Sequence, residues 1–318
     1  MVNARISDVA TQNSMIQNML TNQTKVNSLE QEVSSGLAVT QPSDNPEATV
    51  GILNCTNALN DISTYSTNIT SATSELNVTN SAVSGIVNVI TQAQEVAEQA
   101  SNATNGTTQL KAMSDQIGQL LSEATGLGNT SFEGKYVFGG VVTGTPPYTT
   151  GSTTGIQYTG TPSTDPYQRN VQIGDGVTAT INTTGDQLLG QYYQTSPGPP
   201  AVYTGSGLIQ TLSVLQNQLN ASPPDYTAIS SSLSSLNTNA TSVETIQANL
   251  GATTAKLNMT QNQLSNNKIS YTQMQSNLQD VDMAQAVSNL SFQETALQTS
   301  LEVTAKISQL SLLNYMSA

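Results

Sequence analysis

Residues 225–278, DYTAISSSLSSLNTNATSVETIQANLGATTAKLNMTQNQLSNNKISYTQMQSNL, are apolar at every seventh position: Ile229, Leu236, Val243, Leu250, Leu257, Leu264, Tyr271 and Leu278. Gly251 is the one glycine in the stretch, and it holds no proline after Pro224. An apolar repeat of seven held this long keeps one seam turned toward a partner helix. The companion row, Leu233, Ala240, Gln247, Thr254, Gln261, Lys268 and Gln275, is mostly polar. At about 1.5 Å per residue the helix would be roughly 80 Å long, so it needs a partner of similar length.

Residues 46–100 supply that partner. Steps of seven give Ile62, Ile69, Leu76, Val83, Ile90 and Ala97, beside a companion row of Ile52, Leu59, Ser66, Thr73, Asn80, Val87 and Gln94. Two long helices of the same pattern, one near each end of the chain, predict an antiparallel coiled-coil rod. Its seam is Ile62, Ile69, Leu76, Val83 and Ile90 against Leu236, Val243, Leu250, Leu257 and Leu264. Asn80 falls on the polar row and is expected in the seam, where a polar residue fixes register at some cost in stability.

The composition narrows the function. The chain has 318 residues, of which 9% are charged and 4% aromatic, with no His, no Trp and a formal charge of −13. So acidic a chain has little with which to neutralise nucleic acid or an anionic membrane. The lone Cys55 forms no internal disulfide, and its place in the heptad row makes it a small buried apolar residue. No apolar segment follows Met1-Val2-Asn3-Ala4-Arg5, so no cleaved signal peptide is expected, and no run approaches the length of a membrane span.

Taken in order, the first forty residues carry a weak, split stripe: Val2, Ile6, Val9, Ile16 and Leu20 in one phase, Met15, Met19, Val26, Leu29 and Val33 in another. Helicity without a packing partner is marginal, so this segment is expected to be disordered in the isolated chain and helical in an assembly. Asn45 as cap, Pro46 at the first helical position and Glu47 in the first turn start the first rod helix. Gly106 is expected to stop it. A shorter helix follows to Gly126-Leu127-Gly128. Residues 134–207 change character to Gly, Thr, Pro and Tyr with alternating runs, and Gly174-Asp175-Gly176 reads as a hairpin turn. A short helix over 208–219 precedes Asp225, which caps the second rod helix; Asp280 ends that helix and caps the last one, which closes in an apolar tail.

The fold class is therefore mainly α: a long antiparallel helical rod (46–133 with 208–279), a small inserted β domain facing outward (134–207), and terminal assembly segments (1–45 with 280–318) disordered in the monomer. Catalysis finds no support. Without His there is no Ser-His-Asp or Cys-His arrangement and no His-containing metal site. Asp44, Asp280 and Asp282 sit at helix starts, where capping explains them. No cofactor and no metal are expected, and the chain is read as a part rather than an enzyme.

Several motifs are familiar. Arg5-Ile6-Ser7, Leu29, Ser34-Ser35-Gly36-Leu37 and the Leu-rich end of the last helix resemble the flagellin superfamily. Pro42-Ser43-Asp44-Asn45-Pro46, Gly134-Lys135-Tyr136-Val137-Phe138-Gly139-Gly140, Asp280-Val281-Asp282-Met283-Ala284 and Leu310-Ser311-Leu312-Leu313-Asn314-Tyr315 resemble its hook–filament junction branch. Asn45 stands where that branch commonly has an Asp. The resemblance implies a structural subunit of the extracellular flagellum, exported by the type III route without a cleaved signal. It implies as partners other copies of the chain in a ring, the first hook-associated protein, flagellin, and a cytoplasmic chaperone on the C-terminal helix. Periodicity and family together place Arg5, Ile6, Val9, Ile16 and Leu20 against Leu297, Leu301, Leu310, Leu312 and Leu313 in an inner tube. A filament-forming flagellin remains an alternative, as does a secreted coiled-coil adhesin or secretion tip protein.

Overall fold

A computed structural model of the chain describes all residues apart from 1, 103, 152–154, 162–168, 197–201 and 317–318. The helices are α1 (Val2–Ser35), α2 (Pro46–Ala100), α3 (Thr107–Gly128), α4 (Gly185–Leu188), α5 (Gly207–Asn220), α6 (Tyr226–Gln279) and α7 (Met283–Met316). Eight short strands lie between α3 and α5: β1 (Ser131–Phe132), β2 (Lys135–Tyr136), β3 (Tyr148–Gly151), β4 (Gly155–Tyr158), β5 (Asn170–Gly174), β6 (Val177–Thr180), β7 (Gln191–Ser196) and β8 (Val202–Ser206). The chain is mainly helical, with long antiparallel helices and a small inserted β region. It divides into a terminal unit, Met1–Asn60 with Asn266–Ala318, and a central unit, Asp61–Ser265. The division falls inside α2 and α6 rather than at their ends.

In the central unit the two heptad rows meet. Ile69, Leu76, Val83 and Ile90 of α2 are at most 2% exposed, and Ile62 is buried with them. Leu236, Val243, Leu250, Leu257 and Leu264 of α6 join the same core. Fully burying one such aliphatic side chain contributes about 1.5–3 kcal/mol. Side chains beside the seam cross it: Gln94 Nε2 donates to Asn237 Oδ1 at 2.7 Å, Gln247 Nε2 to Ser84 Oγ at 3.2 Å and Gln261 Nε2 to Ser66 Oγ at 2.7 Å. Residue numbers rise on one helix as they fall on the other, so the pair is antiparallel.

The expected companion row of α2 holds in part: Ser66 and Gln94 bond across to α6 and Val87 packs against the core. Asn80 is exposed, and the second buried row is Ala72, Thr79, Ile86, Ala93 and Ala100, three residues after the first row instead of four. Four of its five members are Ala or Ile, whereas Thr73 and Asn80 of the expected row are polar. Farther along, Ala82, Val89 and Val96 are buried as well. There α3 covers another flank of α2, with the Leu127 side chain against Gly85, where an added Cβ would lie 3.0 Å from it. α2 stops at Ala100, and Gly106 stands instead at the start of α3.

Helix α3 packs on α5. Leu110, Ile117, Leu120 and Ala124 face Leu208, Leu212, Leu215 and Leu219 within the core, and Asn220 Nδ2 donates to Ser114 Oγ, which donates to the Gln216 carbonyl. The β region holds a four-stranded antiparallel sheet in the order β3-β4-β7-β8 and two separate two-stranded sheets, β1-β2 and β5-β6. Tyr148 anchors the larger sheet. Its hydroxyl donates to the Gly185 carbonyl, and its ring lies so close to Gly128 and Gly185 that a Cβ at either would meet it at under 3 Å. The β5-β6 turn is Asp175-Gly176, with Gly176 at φ +64°. On the outer face of α6, Ser231, Ser235, Thr238, Ser242 and Thr245 each donate to the carbonyl four residues back.

Candidate assembly interface

In the terminal unit α1 and α7 pack against each other. They too run antiparallel: Gln293 Nε2 donates to Asn22 Oδ1 at 3.1 Å, while Met15 and Asn18, earlier in α1, share a groove with Thr299, Ser300 and Val303, later in α7. The face of α1 turned to its partner is Met15, Met19, Asn22, Val26, Leu29 and Val33, spaced alternately by four and three residues, with Val26 buried and the others half-buried. The α7 face is Ala286, Leu290, Gln293, Leu297, Ser300, Thr304 and Ile307, of which Ala286 is buried. Each helix thus brings an interrupted heptad seam, weaker than that between α2 and α6.

The pairing expected in an inner tube is not the one made within the single chain. Ile16 and Leu20 are 44% and 53% exposed and lie off the seam, and Leu301 is 47% exposed; of the expected residues whose side chains are described, Leu297 alone faces the partner helix. The side chains of Arg5, Ile6, Val9, Leu310, Leu312 and Leu313 lie outside the described residues. The second phase of the α1 stripe makes the intrachain contact, and Ile16 and Leu20, the members of the first phase whose side chains are described, face outward. Both helices are formed in the single chain.

The connections beside this pair are tied together. The Ala38 amide donates to the Gln279 carbonyl, the Val281 amide to the Gly36 carbonyl, and Leu37 bridges Asp280. Asn45 Oδ1 accepts from the Ala48 amide at 3.0 Å and so caps α2, which begins at Pro46. Asp225 Oδ1 accepts from the Thr227 and Ala228 amides and caps α6. Asp280, expected to cap α7, does not: α6 runs to Gln279, so Asp280 belongs to its end and accepts from Ser276 Oγ. Asp282 caps α7, through the Ala284 and Gln285 amides. Asp44 closes the 40–44 turn rather than a helix. The Gln41 amide, then the Thr40 amide, hold its carboxyl below the usual aspartate range.

The terminal unit exposes large apolar side chains in quantity. Val50 and Leu53 on α2, Ile269 and Met274 on α6, and Phe292 and Val303 on α7 join Ile16, Leu20 and Leu301. Phe292 is 74% exposed, beside a groove of about 480 Å³ floored by Met15 and Ala296. The central unit is nearly twice as long, yet among its described residues the large exposed apolar side chains are Val141, Val142, Val177, Tyr203 and Met259. Sequence reading passed over Val50 and Leu53. Their signal was their place two and five residues after Ala48, opposite the seam, on a face otherwise polar. Among the described residues no group of His, Cys, Asp or Glu is arranged to hold a metal.

Comparison with known proteins identifies both ends of the chain. Residues 6–143 match the bacterial flagellin N-terminal helical region, and residues 233–316 match the bacterial flagellin C-terminal helical region. The chain belongs to the flagellin family. It is thus a structural component of the flagellum, and among its described residues no helix is long and apolar enough to cross a membrane. Solved structures share the flagellin-type fold. A putative flagellar hook-associated protein from Vibrio parahaemolyticus superposes with a TM-score of 0.63 at 17% identity, over 74% of this chain and 100% of that one. Flagellar hook associated protein-3 from Legionella pneumophila gives 0.61 at 14% identity, over 71% and 98%. Bacillus cereus FlgL gives 0.55 at 20% identity, over 69% and 97%. No curated protein sequence matches the chain.

Proposed function

We propose that this flagellin-family chain is the junction subunit between hook and filament, the role named for the similar Legionella pneumophila flagellar junction protein FlgL. The observation that carries the reading is the crowding of exposed apolar side chains onto the terminal unit. A surface of that kind on a chain otherwise clothed in Ser, Thr, Asn and Gln is made to be covered. In this reading residues 1–45 with 280–318 line an inner tube, 46–133 with 208–279 form the rod around it, and 134–207 project outward. Ile6, Val9, Ile16 and Leu20 then meet Leu301, Leu310, Leu312 and Leu313 of neighbouring copies rather than of their own chain. The partners are further copies in a ring, the first hook-associated protein on one side and flagellin on the other. A cytoplasmic chaperone covers the C-terminal helix before export through the type III apparatus.

The α1–α7 pair is interrupted by Asn22, Gln293, Ser300 and Thr304. A pair so polar is marginal alone, and its helices consolidate when neighbours cover their outer faces. The test is a chain truncated after Leu301. It should remain a folded monomer with intact exchange protection in the central unit, yet fail to enter flagella and leave cells non-motile. Normal motility would sink the reading. A purified full chain that polymerises alone into long filaments would favour a filament-forming flagellin instead.

A further inference from the structure

The β5–β6 hairpin forms a sheet of its own and lies across both long helices of the central unit. Strand β5 is tied to α2, where Asn68 Nδ2 donates to the Gln172 carbonyl at 2.9 Å. Strand β6 is tied to α6, where Lys256 Nζ reaches the Thr178 carbonyl at 3.5 Å. Ile173, Ala179 and Ile181 are buried in the common core, and Ile181 shares a cleft with Leu76 of α2 and Leu250 of α6. The hairpin therefore roofs the seam and holds one helix with each strand.

At its open end sits a charge pair. The Arg169 guanidinium donates through both terminal nitrogens to the two carboxylate oxygens of Glu75 on α2, Nη2 to Oε2 at 2.9 Å, with the two side chains 24% and 13% exposed. The backbone of Arg169 is itself fixed to the far strand, its amide donating to Asn182 Oδ1 and its carbonyl accepting from the Ile181 amide. One ion pair thus fastens both ends of the hairpin to α2. The chain has eight Lys and Arg in all, and this one is spent inside the central unit.

An aliphatic heptad row specifies register weakly, because a slip of seven residues puts one leucine where another was. Here Leu257 would take the place of Leu250 with little loss of fit. The same slip would move Lys256 by about 10 Å while Asn68 and Glu75 stayed put, and a hairpin of four- and five-residue strands does not span both anchors then. We propose that the β5–β6 hairpin is a staple that fixes the register of α2 on α6, and that the Arg169–Glu75 pair is the catch that keeps it shut.

Amide hydrogen exchange on the full chain tests this. In Glu75→Gln, the amides of β5 and β6 should exchange on the order of tenfold faster, since the shielded guanidinium loses its counter-charge. Amides of α2 and α6 around Glu75 and Lys256 should loosen with them, while β3, β4, β7 and the α3–α5 pair keep their protection. One molar salt should move the wild-type hairpin the same way. The double exchange Glu75→Arg with Arg169→Glu should return protection toward wild type, and it serves as the test should the single variant fail to fold. Unchanged hairpin exchange in Glu75→Gln overturns the catch, as does a double variant no better protected than the single. A hairpin that opens while α2 and α6 stay as protected as before overturns the staple.

Discussion

Thr79 is a polar side chain buried where Asn80 beside it is exposed. The first buried row of α2 is its heptad row; the row four residues on is half-buried at Ser66 and Gln94 but exposed at Asn80, and the fully buried neighbour is Thr79, three residues on. Both spacings lie within one helical turn, and only the covering element decides which flank is buried. Thr79 is 2% exposed, and its hydroxyl donates to the Glu75 carbonyl of its own helix. That carbonyl already belongs to the helical ladder, so the hydroxyl gains little for its burial. Thr79→Val should raise the stability of the central unit by about 1 kcal/mol, read as a higher urea midpoint at unchanged slope. Asn80→Leu should change it by less than about 0.5 kcal/mol, as surface substitutions do. The reverse order would put Asn80 in the seam after all.

Among the elements, the long helices were legible and the pairing face of the short-range partners was not. Ile229 to Leu264 carry an unbroken apolar row, and so strong a period leaves one orientation available. α1 offered two weak phases, and sequence gave no physical ground for choosing between them, since its partner α7 is just as divided. The structure uses the Met15–Val33 phase within the chain. Val26→Asp should therefore separate α1 from α7: a carboxylate without a partner would replace a side chain 4% exposed, at a cost of about 3 kcal/mol or more. The expected reading is a loss of helical ellipticity at 222 nm confined to the terminal unit. Leu20→Asp, at an exposed position, should leave the ellipticity of the isolated chain unchanged while abolishing assembly. Equal loss in both variants would mean that the two phases share the contact. The caps divide in the same way. Asn45 was plain from the proline after it, but Asp280 and Asp282 are two residues apart, and only the length of α6 decides between them.

For the whole molecule, the insert was recognisable as β from its alternation, whereas its sheet order depends on anchors such as Tyr148 that composition does not reveal. Those anchors have a measurable signature. Burial first, then the charges of Tyr158 and Asp186, push the Tyr148 phenol well above its ordinary value, and burial, then Asp186, raises Tyr158 likewise. Groups whose folded pKa is raised contribute stability that is complete below the unfolded value, about 10 for tyrosine, and that drains away as pH climbs beyond it. With no His in the chain, stability should be nearly flat from about pH 5 to 9 and fall above about pH 10. Phenolate absorbance at 295 nm should lag in the folded protein and complete its rise with loss of the circular dichroism signal. A full phenolate titration before unfolding would contradict the buried placement. The rungs between α2 and α6, Gln94–Asn237, Ser84–Gln247 and Ser66–Gln261, join amides to amides and hydroxyls. Such rungs gather no counter-ion cloud, so nothing is gained or shed at them when the surrounding electrolyte changes: the amide rungs themselves should hold equally well in fresh water and in brine, and any salt response of the two helices belongs to the Arg169–Glu75 catch.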